Sequence, residues 1–293
     1  MRGLPSSFLA PIFGYTNAQF RLLCQRYGAK ATVVPLVNAS AISRGAKMID
    51  AYDSEKSLGV QLSGPRPEEF AKAVSIIERN FHLVKRFDVN AGCPAQGTMK
   101  DGGGSVLMRK PKTLAAIVKE MKKETDLLVS VKMRIFNNKT KIVQLATTIQ
   151  EAGADFITIH GRTVKQGYSG YADWGMIQTV KENVSIPVIG NGDIKSTKEG
   201  EIRVREGYCN SFMIGRAAMS NPLVFKDKTE LTYERRKKLF LEYHELCQEL
   251  DHVEMKDLMP KALQFFRSIK DGAAIRHKLS QSKTVDELIS KLE

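Results

Sequence analysis

Short apolar runs alternate with amphipathic segments over the first two-thirds of the chain. The apolar runs are rich in β-branched residues and predict strands, whereas Pro67–Asn80 and Lys139–Ala152 carry apolar positions at helical spacing. About eight strand–helix units fit into roughly 215 residues, which predicts a parallel sheet closed into a TIM (β/α)8 barrel. The predicted strands are Phe8–Ala10, Ala31–Val34, Leu58–Leu62, Phe87–Asn90, Leu127–Ile135, Phe156–His160, Pro187–Gly190 and Phe212–Gly215.

A doubly wound α/β sheet is the alternative arrangement for such a pattern. That fold usually carries a glycine-rich phosphate loop directly after its first strand. Here the first strand is followed by Pro11-Ile12-Phe13-Gly14, which contains no GxGxxG motif. The sequence therefore favours the barrel.

The hydrophobic pattern changes after Pro222, because helical spacing continues without any strand-like run. Pro260 is expected near a turn or kink. We therefore expect an α/β barrel domain over residues 1–227, followed by a small all-helical domain over residues 228–293. The predicted helices of this second domain are 231–251, 256–270 and Thr284–Leu292.

Charge is the unusual part of the composition. The chain has 45 Lys and Arg against 32 Asp and Glu, a net charge of +13 at pH 7. A basic protein is attracted to polyanions, because each phosphate contact releases counterions; a surface that is merely kept soluble by excess lysine is the alternative. No run is long and apolar enough to span a bilayer, and residues 1–5 show no signal-peptide pattern. We therefore expect a soluble cytoplasmic protein without membrane contact.

The charges of the C-terminal segment are segregated along the chain. Residues 242–254 are rich in acidic side chains, and a basic stretch follows them. A phosphate-binding surface and an ordinary solvated helix face fit this pattern equally. The basic residues are Lys256, Lys261, Arg267, Lys270, Arg276 and Lys278.

The four cysteines form no CxxC pair and have no metal-ligand spacing, so we expect no metal site. Cys24, Cys209 and Cys247 lie in apolar or helical surroundings and fit a structural role. Cys93 lies in the polar loop Asn90-Ala91-Gly92-Cys93-Pro94, where a thiol can act as nucleophile or as general acid. The lack of a Cys–His dyad motif favours the role of general acid for Cys93.

Polar residues gather at the C-terminal ends of the predicted strands. In a TIM barrel these ends form one face, and active sites lie there. Residues far apart in the sequence are therefore expected to converge on one cleft. They are Gln61, Asn90, Cys93, Lys132, Arg134, His160, Asn191, Gly192, Asp193, Gly215 and Arg216.

Two of these loops are candidates for binding phosphate. Gly190–Asp193 and Gly215-Arg216 offer unobstructed backbone N–H groups and a guanidinium, and barrels often bind phosphate after strands seven and eight. Lys132 and Arg134 alternate along a strand and face the same side, where a bound anion would compensate their charges. Two ordinary turns, and an arginine paired with a local carboxylate, are the alternatives.

These segments together resemble the tRNA-dihydrouridine synthase family. The most specific is Asp88–Pro94, which carries an NxGCP signature and is followed by the glycine-rich Gly102–Met108. The resemblance covers residues 8–225, and the helical tail matches in kind and position. The other matching segments are Leu9–Asn17, Val60–Gly64, Ser130–Arg134, His160–Thr163, Gln166–Tyr168, Ala172–Trp174, Gly190–Asp193 and Met213–Arg216.

The resemblance implies a monomeric oxidoreductase that uses FMN, with NADPH as reductant, to reduce the C5=C6 bond of uridine in tRNA. Flavin N5 would deliver a hydride to C6, and Cys93 would protonate C5. The residues expected to bind FMN are Ala10, Pro11, Gln61, Asn90, Lys132, His160, Asn191, Gly192, Asp193, Gly215 and Arg216. The residues expected to bind tRNA are Asn90, Arg134, Lys261, Arg267, Lys270 and Arg276.

The chain departs from the family pattern at two positions, and two other functions fit parts of the sequence. Phe13 stands where a small residue is usual, and Met108 replaces a leucine, which a core tolerates. An FMN barrel of the dihydroorotate dehydrogenase or ene-reductase type would leave the helical tail and the +13 charge unexplained. A non-catalytic RNA-binding barrel predicts an eroded flavin site, yet Gln61, Lys132 and Arg216 are present.

Overall fold

The computed structural model describes residues 4–46 and 49–292. Eight parallel strands form one sheet, in the order β1-β8-β7-β6-β5-β4-β3-β2, as the alternating pattern predicts. The strands are β1 (Ser7–Leu9), β2 (Thr32–Asn38), β3 (Leu58–Ser63), β4 (Val84–Ala91), β5 (Leu128–Ile135), β6 (Phe156–Thr163), β7 (Val188–Asn191) and β8 (Ser211–Ile214).

The sheet closes on itself between its first and last members. Phe8 of β1 forms a parallel bridge with Ala31, which precedes β2. The Leu9 N–H donates to the Ala31 carbonyl at 2.9 Å, and the Ala31 N–H donates to the Ser7 carbonyl at 3.1 Å. The predicted barrel is therefore confirmed, and the doubly wound alternative is wrong.

Helices surround this barrel. The long helices, whose apolar residues recur at helical spacing over several turns, lie close to their predicted positions. The predicted Pro67–Asn80 coincides with α3, and Asn17 caps α1 by accepting from the Phe20 N–H at 3.2 Å. Three five-residue helices, α2, α4 and α9, were not predicted, because they are too short to show a period. The helices are α1 (Ala18–Arg26), α2 (Ala39–Ser43), α3 (Pro67–Asn80), α4 (Gln96–Lys100), α5 (Pro111–Glu124), α6 (Lys139–Glu151), α7 (Trp174–Asn183), α8 (Thr197–Arg205) and α9 (Arg216–Ser220).

Strand alternation divides the interior into two environments. On β4, Phe87 and Val89 are fully buried in the main hydrophobic core, which joins the sheet to its helices. Arg86, Asp88 and Asn90 occupy the other face and point into the barrel, where polar partners meet them. An apolar plug also fills part of the barrel interior. It consists of Phe8, Ala10, Ala31, Phe156, Ile189 and Met213.

Four helices follow the barrel; the first two pack against the barrel helices α1 and α9, and the last two pack against the second of the four. The helix expected over 256–270 ends earlier, at Phe265, and Pro260 lies inside it rather than at a turn. A further helix that was not predicted lies before residue 284. The Phe20 and Phe265 rings lie 6.4 Å apart, so barrel and tail share one buried core. The division at residue 227 stays a prediction. The tail helices are α10 (Tyr233–Glu249), α11 (Met255–Phe265), α12 (Gly272–Ser280) and α13 (Val285–Ser290).

The acidic part of the tail faces a basic part of the barrel. Glu249 forms an ion pair with Arg26 at 3.1 Å, and Glu242 accepts a hydrogen bond from the Tyr27 hydroxyl. Charge segregation in the tail therefore serves, in part, the contact between α10 and α1. Among the helices of the described residues, none combines the length and apolar character needed to cross a bilayer.

Candidate active site

The C-terminal ends of the strands surround one cleft of about 1130 Å³. Every residue expected to bind the cofactor lines this cleft, and so do Cys93, Arg134 and Arg267. The convergence follows from the barrel, because parallel strands deliver their ends to one face. The cofactor candidates in the lining are Ala10, Pro11, Gln61, Asn90, Lys132, His160, Asn191, Gly192, Asp193, Gly215 and Arg216.

A buried chain of hydrogen bonds forms the floor of the cleft. Asp88 accepts from Gln61 Nε2 at 2.6 Å and from the Ser130 hydroxyl at 2.7 Å. Asn90 Nδ2 donates to Gln61 Oε1 at 2.7 Å, so both ends of the Gln61 amide are engaged. Burial raises the pKa of Asp88 above its usual value, against the opposing effect of these donors. Asp88 was missed as a site residue, although its alternation with Asn90 along β4 was a signal.

The loop that carries Cys93 is held by its own backbone contacts. Asn90 Oδ1 accepts from the Cys93 N–H at 3.0 Å, and the Ser105 N–H donates to the Cys93 carbonyl at 3.0 Å. Gly104 has a φ of +58°, and a Cβ there would lie 2.7 Å from the Cys93 carbonyl oxygen, so only glycine allows this approach. The Cys93 thiol is half-buried with Thr98 Oγ1 at 3.7 Å, whereas the other three cysteines are buried.

Two cations face the cleft beneath this loop. The Lys132 ammonium makes no hydrogen bond to any described residue, and burial lowers the pKa of Lys132 to about 8 while Asp88 opposes the shift. Arg134 donates to the carbonyls of Gly92, Thr163 and Gly167 at 2.9–3.1 Å. Within the described residues no carboxylate pairs with Arg134, so the alternative of a local ion pair is wrong. Neither cation therefore forms an ion pair with a carboxylate among the described residues.

His160 is a neutral imidazole at the centre of this positive region. Burial, together with the nearby cations, lowers the pKa of His160 to about 2. A neutral ring can donate one N–H to an anion without carrying charge of its own. The cations that act on it are Lys132, Arg134, Arg162 and Arg216.

Asp193, which was expected to bind the cofactor, accepts hydrogen bonds from two arginines. It accepts from Arg162 Nη2 at 2.7 and 2.8 Å, from Arg216 Nη2 at 2.9 Å and from the Ala172 N–H at 2.8 Å. Burial raises the pKa of Asp193, but these donors outweigh it and the net shift is downward. Arg162 is buried, and its Nη1 makes no hydrogen bond to the described residues. From the sequence, Arg162 was recognised only as part of the segment His160–Thr163 and was not predicted as a site residue.

Aromatic side chains stand exposed at the rim of the cleft. Phe13 is 72% exposed and Tyr168 is 61% exposed, and both line the cleft. The Tyr168 ring lies over the guanidinium of Arg216 at 4.9 Å and that of Arg134 at 6.0 Å. Aromatic rings exposed at the rim are available to stack on a ligand.

The basic surface expected on the helical tail is only partly present. Arg267 is exposed at the rim, Lys270 is exposed, and Arg276 is half-buried with Nη1 donating to the Phe266 carbonyl at 3.1 Å. Lys261 is fully buried, with its ammonium 4.8 Å from the Tyr15 ring centroid. The placement of Lys261 on a tRNA-binding surface is therefore wrong, because helix docking turns it inward.

The donor set of the cleft fits an anionic cofactor with a phosphate end. A Cβ at Gly192 would lie 2.6 Å from the Ala172 Cβ, so this position has no room for a side chain, and Gly192 lines the cleft with its backbone alone. The φ of Gly192 is +131°, which favours glycine. The guanidinium of Arg216, at the end of the neighbouring strand β8, lines the same cleft. Over residues 4–46 and 49–292, no group of three or more His, Cys, Asp or Glu side chains is arranged to hold a metal ion.

Two solved structures share this fold at low sequence identity. A 2-naphthoyl-CoA reductase complex matches with a TM-score of 0.57 and 12% identity, over 76% of this chain and 49% of that chain. The histamine dehydrogenase from Rhizobium sp. 4-9 matches with a TM-score of 0.55 and 11% identity, over 82% and 49% of the two chains. At such identities the likeness concerns the fold alone.

Sequence relatives identify the family. The family model for dihydrouridine synthase (Dus) matches residues 8–293. A probable tRNA-dihydrouridine synthase of Aquifex aeolicus is 30% identical over 97% of this chain and 94% of the relative. A probable tRNA-dihydrouridine synthase of Rickettsia conorii is 37% identical over 73% and 66%, and tRNA-dihydrouridine synthase B of Pasteurella multocida is 32% identical over 75% and 67%. The chain therefore belongs to the dihydrouridine synthase family of flavin-dependent oxidoreductases.

Proposed function

We propose that this chain reduces uridine in tRNA to dihydrouridine, with FMN as its flavin and NADPH as its reductant. One observation carries the proposal beyond family membership. A half-buried thiol, Cys93, and an ammonium without a hydrogen-bond partner among the described residues, Lys132, share one cationic cleft. A thiol can supply a proton and a cation can stabilise an anionic ring, which are the two needs of this reduction.

The residues of the cleft divide into two groups by their chemistry. Lys132 and Gln61 would hold the flavin ring, because the ammonium offers a charge and the amide keeps one N–H free. Arg216, neutral His160 and the open backbone at Gly192 would hold the phosphate. When bound, FMN supplies the hydride for uracil C6.

Cys93 is the proposed proton donor to uracil C5. Its loop is fixed by Asn90 Oδ1 on one side and by the close approach of Gly104 on the other. The thiol is thus held at one position rather than on a mobile loop. Asn90 lies between the floor of the cleft and this loop, so its side chain is placed to contact both flavin and base.

Uridine must leave its stack in tRNA to reach this cleft, which costs a few kcal/mol and less in a loop. Arg267 is exposed at the opening, Lys270 is exposed three residues further along the chain, and Arg134 lies inside the cleft. These charges would attract the phosphate backbone without regard to sequence. Residues 228–293 would orient the tRNA, and Phe13 at the rim would stack on a base.

The test is mass spectrometry of nucleosides from dihydrouridine-free tRNA incubated with protein, FMN and NADPH. We expect a gain of two hydrogens on uridine. The Cys93→Ala variant should stay yellow and be reduced by NADPH, yet form little dihydrouridine, whereas Cys247→Ala should retain the reaction. No gain from a yellow, NADPH-reducible wild type would contradict the tRNA substrate and favour a small-molecule reductase.

A further inference from the structure

Asp88 lies below the groups that the proposed chemistry uses. It is 6% exposed, on β4, and its register neighbours are Gln61 on β3 and Ser130 on β5. All three side chains therefore stand at one level of the barrel interior. A carboxylate in such a place must be stabilised by donors, and the two neighbours supply them.

The hydrogen bonds from Asp88 run without a break to the Cys93 loop. Gln61 Nε2 donates to Asp88 at 2.6 Å, and Gln61 Oε1 accepts from Asn90 Nδ2 at 2.7 Å. The other end of the Asn90 amide, Oδ1, accepts from the Gly92 and Cys93 N–H groups at 3.2 and 3.0 Å. Each amide is used at both ends, so neither can turn over without losing a buried hydrogen bond.

The direction of the chain is the same from both ends: the Gly92 and Cys93 N–H groups can only donate to Asn90, and Asp88 anchors the buried end. Asp88 is acceptor-only when ionised, so it requires the Gln61 NH₂ to face it. Gln61 must then offer its oxygen to Asn90, and Asn90 must offer its oxygen to the loop. A residue unable to accept at position 88 would leave Gln61 Nε2 without its buried acceptor, and the chain would lose its anchor in the barrel interior. The charge also acts on Lys132, because Asp88 opposes the lowering of the Lys132 pKa by burial.

We infer that Asp88 is a positioning residue, which fixes the orientations of Gln61 and Asn90 and thereby the loop that presents Cys93. The inference deepens the proposed function and rests on it for the meaning of the cleft. Asp88 does not line the cleft, so it acts through its neighbours.

The test measures how accessible the Cys93 thiol is in the absence of flavin and tRNA. Cys93 is alkylated with iodoacetamide in flavin-free protein, and its rate is followed by peptide mass spectrometry, since the other three cysteines are buried. Asp88→Ala and Asn90→Ala should each raise the alkylation rate of Cys93 about fivefold or more. The double variant should react no faster than either single variant, because the effects of coupled residues are not additive. Asp88→Asn can still accept from Gln61, and its rate should stay within about twofold of wild type.

Two outcomes would overturn the inference: an unchanged Cys93 rate in Asp88→Ala, or additive effects in the double variant. Should Asp88→Ala fail to fold by circular dichroism, Gln61→Ala breaks the same chain one link later and replaces it in the cycle. The proposed function fails separately, through a wild type that forms no dihydrouridine. That failure leaves the alkylation result standing.

Discussion

The Asp193 carboxylate accepts a hydrogen bond from Nη2 of Arg216 at 2.9 Å. Asp193 carries a φ of +57°, so its backbone holds an uncommon conformation to reach this position. An anionic side chain beside a phosphate site would repel the phosphate, but this one is occupied by two guanidinium groups. If Arg216 binds the phosphate as proposed, Asp193 would contribute to cofactor binding indirectly, through the orientation of Arg216.

Removing the Asp193 carboxylate should weaken FMN binding. In Asp193→Ala, Arg216 loses its anchor and Arg162 loses two hydrogen bonds, so we expect the Kd for FMN to rise about tenfold. The measurement is quenching of FMN fluorescence on titration with protein. Asp155→Asn is the matched control, because Asp155 pairs with Lys122 at 2.9 Å outside the cleft. Equal Kd values for Asp193→Ala and wild type would show that Asp193 does not position Arg216.

The sequence predicted the barrel and the membership of the cleft for a physical reason. Strand periodicity is local, and parallel strands bring their C-terminal ends together whatever their details. Gln61 and Arg216 could therefore be grouped before the structure was known. Which partners they take could not be predicted, because the bonds from Gln61 to Asp88 and from Arg216 to Asp193 depend on rotamers and register.

The failure at Lys261 has a different origin. Its helical position was predicted, but the face that a helix buries depends on where the helix docks. Helix α11 packs against the barrel, and Lys261 reaches the rings of Tyr15 and Tyr243 instead of solvent. Charge counting along the chain cannot distinguish these two directions.

His160 should make the protein sensitive to acid before flavin binds. Its pKa is about 2 in the fold and near 6.5 when unfolded, so the unfolded state binds more protons between these values and stability falls as pH drops below 6.5. From pH 6.5 to 5 this amounts to ~2 kcal/mol. The free energy of unfolding in urea should therefore fall less for His160→Gln than for wild type between pH 7 and 5.

The control for this measurement is the exposed His277, for which His277→Gln should follow wild type. A pH dependence that is identical in all three proteins would mean that His160 is protonated in the fold. The assay must use flavin-free protein, since a bound anion would change the balance.

Lys261 should limit stability at neutral pH. Burial lowers the pKa of Lys261 more than its ion pair with Asp257 at 3.9 Å raises it, so the charged side chain destabilises the fold at pH 7, and Lys261→Met should raise the free energy of unfolding by ~1–3 kcal/mol. The pKa of Lys261 is lowered by burial to about 8, below the usual 10.5, so wild type gains stability as pH rises above 8. The advantage of Met should shrink by ~2 kcal/mol between pH 8 and 9.5. Exposed Lys270→Met should show neither effect, and a destabilised Lys261→Met would contradict the argument.

The exposed part of the basic tail should govern tRNA affinity. Arg267→Glu with Lys270→Glu should raise the Kd for tRNA tenfold or more and lower the slope of log K against log salt by about 2, while FMN content stays unchanged. Filter binding at several salt concentrations measures both. The control pair is Lys112→Glu with Lys119→Glu, which changes the same charge on the exposed face of α5. An equal loss in the control pair would assign the effect to net charge alone.

Phe13 should bind RNA through its ring. It lies in a turn that is fixed by Ile12 N–H donating to Thr16 Oγ1 at 3.0 Å and by the positive φ of Gly14, so the ring is held at the rim rather than on a loose loop. Stacking of a base on an aromatic ring contributes ~1–3 kcal/mol. Phe13→Ala should therefore raise the KM for tRNA about 5- to 100-fold and leave the Kd for FMN within about twofold.

Tyr171 provides the matched comparison for Phe13. It is 89% exposed, more than Phe13, but it does not line the cleft. If exposure alone attracted RNA, Tyr171→Ala would raise the KM at least as much as Phe13→Ala. If position at the rim decides, only Phe13→Ala will raise it. A Phe13→Leu variant, which keeps apolar bulk but lacks a π face, should behave like Phe13→Ala, because the contribution comes from stacking rather than from area. Recovery of wild-type KM by leucine would show that Phe13 acts by packing.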